Sequence, residues 1–261
     1  MPKSAAKTEK RKYSVPAVET SFKILRLLST DRFRESTLTE IANAIGANPS
    51  TCFRVLHLLE ELAVVNYNKR TKRYTLGPYL VILGERAKEY NDYINICKPF
   101  LLSVRNHTGL TTVLIQKVKN TRLASIDKIE GNEFSVNVSL GRRYGIGEGA
   151  FGMCFVAYLP PEKREEYLQH SKIYQQKSEE EKAAYLRELD KVKEQGYAVT
   201  YGEFRPGIFG IAAPVFNEEG DVILAISAFG AVASFKREEL VPMAEFIKKT
   251  AEEVTRKFNG H

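Results

Sequence analysis

Ser50, Thr51 and Arg54 fall at positions i, i+1 and i+4 of the stretch "NPSTCFRVLHLLEEL". If that stretch is helical, two hydroxyls and a guanidinium share one end of one face. A guanidinium can donate two parallel bonds to a guanine edge, and hydroxyls can bond base edges or phosphate oxygens. Further along, Lys69, Arg70, Lys72 and Arg73 crowd into "KRTKR", a set unsuited to a core and well suited to phosphates. A third set, Gly147, Gly149 and Gly152, matches GxGxxG. A dinucleotide site would need a parallel strand–helix–strand unit and an acidic residue about 20 positions on. The region beyond reads "LQHSKIYQQK", so a loop is the better reading, although glycines before a helix also leave backbone N–H groups free to receive an anion.

Other chemistries do not assemble. Cys52, Cys97 and Cys154 are far apart and form no CxxC pair, so neither a disulfide framework nor a local zinc site is indicated. Cys154 lies in the apolar run "AFGMCFVAYL" and reads as packing rather than as a nucleophile. His107, His170 and His261 lack ligand partners nearby, and Glu203 in "YGEFRPG" is a lone carboxylate. No catalytic set, metal or cofactor is expected. No tract is long and apolar enough for a bilayer, and "MPKSAAKTEKRKYS" lacks the apolar segment of a signal peptide, so a cytoplasmic protein is expected.

The elements that must position the first two sets can be read from spacing. Val18, Phe22, Leu25 and Leu28 recur at helical spacing after Pro16. Thr37 and Glu40 have the spacing of a capping box, Leu38, Ile41, Ala42 and Ile45 form a short apolar stripe, and Gly46 can end it. Asn48 is a good N-cap and Pro49 a good first residue for the third helix. In that helix Cys52, Val55, Leu56, Leu59 and Leu62 gather on one side, with Phe53 at its edge and read as core. Ser50, Thr51, Arg54, His57 and Glu61 gather on the other, the last two read as facing solvent. Alternation at Val64–Tyr67 and Arg73–Leu76 then frames a hairpin whose tip is the basic cluster.

Charge sharpens this pattern. Residues 1–90 hold 16 Lys+Arg against 9 Asp+Glu, while residues 91–261 hold 23 of each, so the whole excess of +7 is N-terminal. Alone, that asymmetry suits a solvated basic tail as well as a nucleic-acid domain. Combined with the order helix, helix, turn, helix, basic hairpin, it indicates a winged helix-turn-helix over residues 14–77, behind a basic arm over residues 1–13. A linker helix follows over residues 78–92, and Pro99 implies at least two helices before about Asn106.

From residue 93 onward the period changes. "TTVLIQKV" and "TRLASIDKI" flank Lys119 and Asn120 as a hairpin, and "FSVNVSL" suggests a third strand. An apolar helix over "AFGMCFVAYL", a charged helix from the Ser178–Glu181 capping box to Gly196, strands across "YAVTYGEFRPGIFGIAAPVFNEEGDVILAISAFG" and a helix from Ser234 to Phe258 complete an α+β domain with an antiparallel sheet.

With both halves read, the chain resembles the IclR-type transcriptional regulators from Val15 to Phe258. The resemblance rests on "TLTEIANAIGANPSTCFRVLHLLEEL" and "YNKRTKRYTLG", then "GAFGMCFVAYL", the long strand region and the final helix. It implies a GAF-like effector and oligomerisation domain over residues 93–261, dimers or tetramers on palindromic operator DNA, and a small metabolite that alters DNA affinity or polymerase recruitment; an organic acid is the expected effector. Carried over, the DNA-reading positions are Ser50, Thr51 and Arg54. The ligand pocket falls on Tyr144, Gly149, Ala150 and Phe151 around the glycine loop, with Thr200, Tyr201 and Ser227 as walls. Many members carry Gly-Lys where this chain has Gly152 and Met153. Two rival functions are an enzyme with an accessory winged domain and an architectural binder whose second domain only oligomerises.

Overall fold

The computed structural model describes residues 14–119, 122–132 and 136–260; the expected basic arm and the turn at residue 120 lie outside them. The chain divides into two compact units that meet between Tyr90 and Asn91. Among the described residues no helix is long and apolar enough to cross a membrane.

The first unit runs α1 (Pro16–Leu28), β1 (Ser36–Thr37), α2 (Leu38–Ile45), α3 (Pro49–Glu61), β2 (Val65–Asn68), β3 (Arg73–Leu76) and α4 (Tyr79–Glu89). Its helix starts form as the capping residues dictate. The Thr37 and Glu40 side chains bond each other's backbone N–H groups, at 3.3 and 2.7 Å, and the Asn48 side-chain oxygen Oδ1 accepts from the Ser50 N–H at 2.9 Å. Gly46 ends α2 at φ +65°, a conformation that glycine adopts without steric cost. The core is Ile24, Leu28, Ile41, Leu56, Leu59, Val65 and Tyr74. The buried stripe of α1 differs from the expected one: Ile24 and Leu28 face inward, whereas Val18 and Phe22 are exposed.

The antiparallel sheet of this unit has the order β1-β3-β2. Its wing tip is held by Asn68, whose side-chain oxygen accepts from the Arg70 and Thr71 N–H groups at 3.0 and 3.1 Å.

The second unit runs α5 (Asp92–Thr108), β4 (Thr111–Lys119), β5 (Arg122–Ile129), β6 (Arg143–Gly145), α6 (Gly149–Ala157), α7 (Pro161–Gln169), α8 (Lys172–Gln175), α9 (Glu179–Gln195), β7 (Ala198–Arg205), β8 (Ile208–Phe216), β9 (Val222–Ala231) and α10 (Leu240–Phe258). The antiparallel sheet has the order β6-β5-β4-β9-β8-β7. Side chains alternate across it. Val113, Ala212, Ala225 and Phe229 pack beneath α6, while Leu114, Ile211, Leu224 and Ile226 pack against α5 and α10 on the other face. The fold is therefore α+β, a sheet between two helical layers.

Three expectations need correction. Two helices do fill the stretch before Asn106, but the break between them falls at Tyr90 and Asn91, and Pro99 sits inside α5, where Ile94, Cys97, Leu101 and Val104 are buried; that packed stripe outweighs one missing backbone bond. Residues 136–139 of "FSVNVSL" form no strand, and residues 133–135 lie outside the described ones. The Ser125 hydroxyl donates to the Ser139 carbonyl at 2.8 Å, and the third strand on that edge is β6, paired with β5. The last helix starts at Leu240 rather than Ser234, behind a turn in which Lys236 N–H donates to Glu239 Oε2 at 2.6 Å.

Candidate DNA-reading and effector sites

Helix α3 buries Cys52, Leu56 and Leu59. That phase leaves Ser50, Arg54, His57 and Glu61 on the exposed side, with Thr51 half-buried beside them. Arg54 has no ion-pair or hydrogen-bond partner among the described residues, which suits an outward-reaching donor. Ser50 Oγ donates to Asn48 Oδ1 at 2.9 Å and keeps its own lone pairs. His57 Nε2 stands 3.4 Å from Glu61 Oε1. Phe53 departs from the expected core role, being 52% exposed, and so does Leu62 at 55%. Phe53 sits roughly a quarter-turn from the buried line, since each helical residue advances by about 100°.

The basic hairpin is not one uniform cluster. Lys69, Arg70 and Lys72 are exposed at the tip, and Lys72 adopts φ +55°. Arg73 is half-buried and turned back. Its Nη1 donates to the Glu35 carbonyl at 2.8 Å and stands 3.4 Å from Glu40 Oε2.

In the second unit a cavity of about 50 Å³ is bounded by Val138, Arg142, Tyr144, Phe151, Phe204, Arg205, Ile208 and Phe229. Of the expected pocket residues it brings Tyr144 and Phe151 together, their rings edge to face at 4.8 Å. Gly149 opens α6 at φ +64°, and a Cβ there would lie 3.0 Å from the Phe204 ring. Ala150 belongs to α6 itself and is buried in the core that the helix forms with the sheet. Thr200 Oγ1 and the Phe229 ring both border the space above Gly210, at 3.2 and 3.3 Å from where its Cβ would stand. Ser227 pairs with Val113 and Ala212 on that same sheet face. It is wholly buried, and its Oγ has no hydrogen-bond partner among the described residues.

Tyr201 does not join this group. Its ring packs on Phe209 in the opposite core, and its hydroxyl donates to the carbonyl of Phe235 at 2.8 Å. Strand alternation is the reason: Thr200 faces α6, so Tyr201 faces away.

Burial raises the pKa of the Tyr144 hydroxyl, and the Arg142 and Arg205 guanidiniums oppose that shift, Arg142 lying over the ring at 5.6 Å. Sequence reasoning missed Arg142, Phe204, Arg205 and Phe229. Phe229 was recoverable as the same-face neighbour of Ser227, two residues on. A larger cavity of about 390 Å³, bordered by Lys117, Phe155, Tyr158 and Asp221, contains none of the expected residues. Cys154 is fully buried, and desolvation holds its thiol well above the ordinary range, so a thiolate nucleophile is disfavoured.

The model of the IclR helix-turn-helix domain matches residues 17–68, and that of the bacterial transcriptional regulator IclR C-terminal domain matches residues 87–256. The chain belongs to the IclR family of transcriptional regulators. Its first unit is the DNA-binding domain and its second the effector-binding domain. The chain is similar to the HTH-type transcriptional regulator KipR of Bacillus subtilis, at 27% identity over 85% of this chain and 89% of that one. Among solved structures, an IclR-type regulator from Alicyclobacillus acidocaldarius is 37% identical with a TM-score of 0.85, covering 93% of this chain and 98% of that one. An IclR homologue from Microbacterium hydrocarbonoxydans, complexed with 4-hydroxybenzoate, shares the fold at 20% identity and a TM-score of 0.76, covering 94% of this chain and all of that one. These relatives are regulators, and the enzyme alternative is set aside.

Proposed function

We propose that this IclR-family regulator acts in the cytoplasm as a homodimer or tetramer on palindromic operator DNA, and that a small organic acid bound beneath α6 alters that binding. Ser50, Thr51 and Arg54 read base edges in the major groove, and Lys69, Arg70 and Lys72 hold phosphates beside it. The effector reading rests above all on Ser227: a wholly buried hydroxyl without a partner among the described residues is costly unless a ligand or a water meets it. The two guanidiniums near Tyr144 supply positive charge for a carboxylate, and Phe151, Phe204 and Phe229 supply apolar walls.

The aromatic walls also suit a flat acid such as the 4-hydroxybenzoate carried by the Microbacterium homologue. Small-molecule pockets usually enclose about 300–1,000 Å³, so an aromatic acid requires Phe204 or Phe229 to swing aside. The deciding experiment measures binding of the purified protein to DNA upstream of its own coding region and to scrambled DNA, at fixed salt, with a panel of aliphatic and aromatic acids. Sequence-specific binding shifted by one acid is expected. Binding without sequence preference and without any acid response would replace this reading with the architectural one.

A further inference from the structure

Two apolar side chains of α3, Phe53 and Leu58, are exposed and serve neither the core nor the hydrogen-bonding set, and Phe53 is the one that adjoins Arg54 in sequence. Phe53 is 52% exposed and immediately precedes Arg54. Its ring lies nearly parallel to that of His57, at 10° and 6.2 Å between centroids. Glu61 stands 3.4 Å from His57 Nε2 on the following turn. The Glu61 carboxylate thus stands behind the imidazole, and the imidazole backs a phenyl ring, on the helix whose N-terminal end carries Ser50, Thr51 and Arg54.

The surroundings decide what covers such a ring. A stable protein partner buries about 800 Å² on each side, far more than one phenyl among hydrogen-bond donors offers. Arg54, next in sequence and without a partner among the described residues, and the exposed wing cations Lys69 and Arg70 of the same unit instead favour a polyanion. In the major groove of DNA, the apolar group displayed at a base edge is the C5-methyl of thymine, and phenylalanine is one of the side chains that meet it.

We propose that Phe53 reads the methyl group of one thymine in each operator half-site, and that His57, held by Glu61, is the positioning residue that sets the ring's plane. The reading rests on α3 entering the major groove, as set out under the proposed function. It adds apolar discrimination between thymine and other bases to the polar readout of Arg54.

The test uses the full-length protein and a preferred duplex selected by it from randomised oligonucleotides. Each half-site thymine is replaced singly by deoxyuridine, which removes only the methyl. Burial of one methyl-sized group corresponds to roughly a four-fold change in affinity. At one thymine position, wild-type protein should therefore bind the uracil duplex roughly four-fold more weakly, while Phe53→Ala should bind both duplexes equally. Arg54→Ala should lose preference at the base that Arg54 contacts yet keep the thymine–uracil difference at the other position. His57→Ala should reduce that difference without lowering thermal stability. Phe53→Leu, which keeps an apolar contact, should retain part of it and guards against misfolding of the alanine variant.

Wild-type binding indifferent to every thymine methyl, or full discrimination retained by Phe53→Ala, would overturn the assignment. If Arg54→Ala loses sequence preference while methyl removal has no effect, Phe53 alone is misassigned. If both changes leave the selected preference intact, α3 does not read the groove, and the broader reading falls as well.

Discussion

Arg73 on the wing and Glu40 at the start of α2 are paired, with Nη1 3.4 Å from Oε2 and the same nitrogen donating to the Glu35 carbonyl at 2.8 Å. The pair ties the hairpin to the capping box across 33 residues of sequence. This geometry supports a structural role for Arg73 in the DNA-binding unit. Arg73→Ala should lower its stability by about 1 kcal/mol, a figure already discounted for the partly exposed pair, and should leave the salt dependence of DNA binding unchanged. Thermal unfolding together with a salt titration checks both. A flattened salt slope with unaltered stability would return Arg73 to the phosphate contacts.

The same box sets a pH dependence. Accepting the Thr37 backbone N–H, and then its hydroxyl, holds the Glu40 carboxyl below its ordinary value of 4.5, with Arg73 adding to the effect. A group with a depressed folded-state pKa contributes stability above its unfolded value and loses it as pH falls through the folded value. Wild-type stability should thus decline more steeply than that of Glu40→Gln as pH is lowered below about 4.5. Parallel stability–pH curves for the two proteins would count against this account.

At the wing tip, conformation and binding should pull in opposite directions. Lys72 sits at φ +55°, a left-handed conformation that costs a non-glycine residue roughly 1–2 kcal/mol. Lys72→Gly should stabilise the unit by something under 1 kcal/mol once glycine's extra unfolded-state entropy is counted, while weakening binding to all DNA sequences. Arg70→Ala should weaken binding similarly and reduce the slope of log K against log salt by about 1. An unchanged slope for Arg70→Ala would remove the tip from the DNA contacts.

Capping chemistry made the first unit legible. Thr37, Glu40, Gly46, Asn48 and Pro49 each dictate local backbone geometry, and each stands where that geometry is used. Which apolar residues face inward was less legible. Val18 and Phe22 satisfy the helical period as well as Ile24 and Leu28 do, and only the position of α2 and α3 decides which pair is buried. Strand alternation separates Thr200 from Tyr201, yet two apolar cores on opposite sheet faces gave no sequence signal for which side held the cavity. Arg142 and Arg205 were hidden for another reason: they lie on separate segments, and only the fold brings both near Tyr144.

Ser227 permits a test in which stability and response separate. Removing an unpaired buried hydroxyl relieves its desolvation penalty, so Ser227→Ala should be neutral or stabilising by about 1 kcal/mol. If the hydroxyl meets the effector, the same variant should bind operator normally but need a higher acid concentration for the same shift. Ser227→Ala with an unaltered acid response would place the effector elsewhere, the 390 Å³ cavity being the next site to probe.

The oligomer should depend on apolar side chains that the first unit leaves uncovered. Val15, the N-cap of α1, and Val18 and Phe22 within the helix recur at i, i+3 and i+7, at 58, 52 and 63% exposure, and Tyr79, Val81, Ile82 and Leu83 of α4 are exposed too. Exposed apolar side chains of this kind suit an interface, and an isologous contact between two copies would match a palindromic operator. Phe22→Asp together with Val18→Asp should leave the unit folded, because neither side chain contributes to its core, while shifting the sedimenting species toward a smaller one. The same variant should bind a single half-site as wild type does but lose the advantage of two linked half-sites, since the second contact is no longer intramolecular. An oligomer of unchanged size with full palindrome affinity would show that copies associate without this face, leaving the second unit to hold them together.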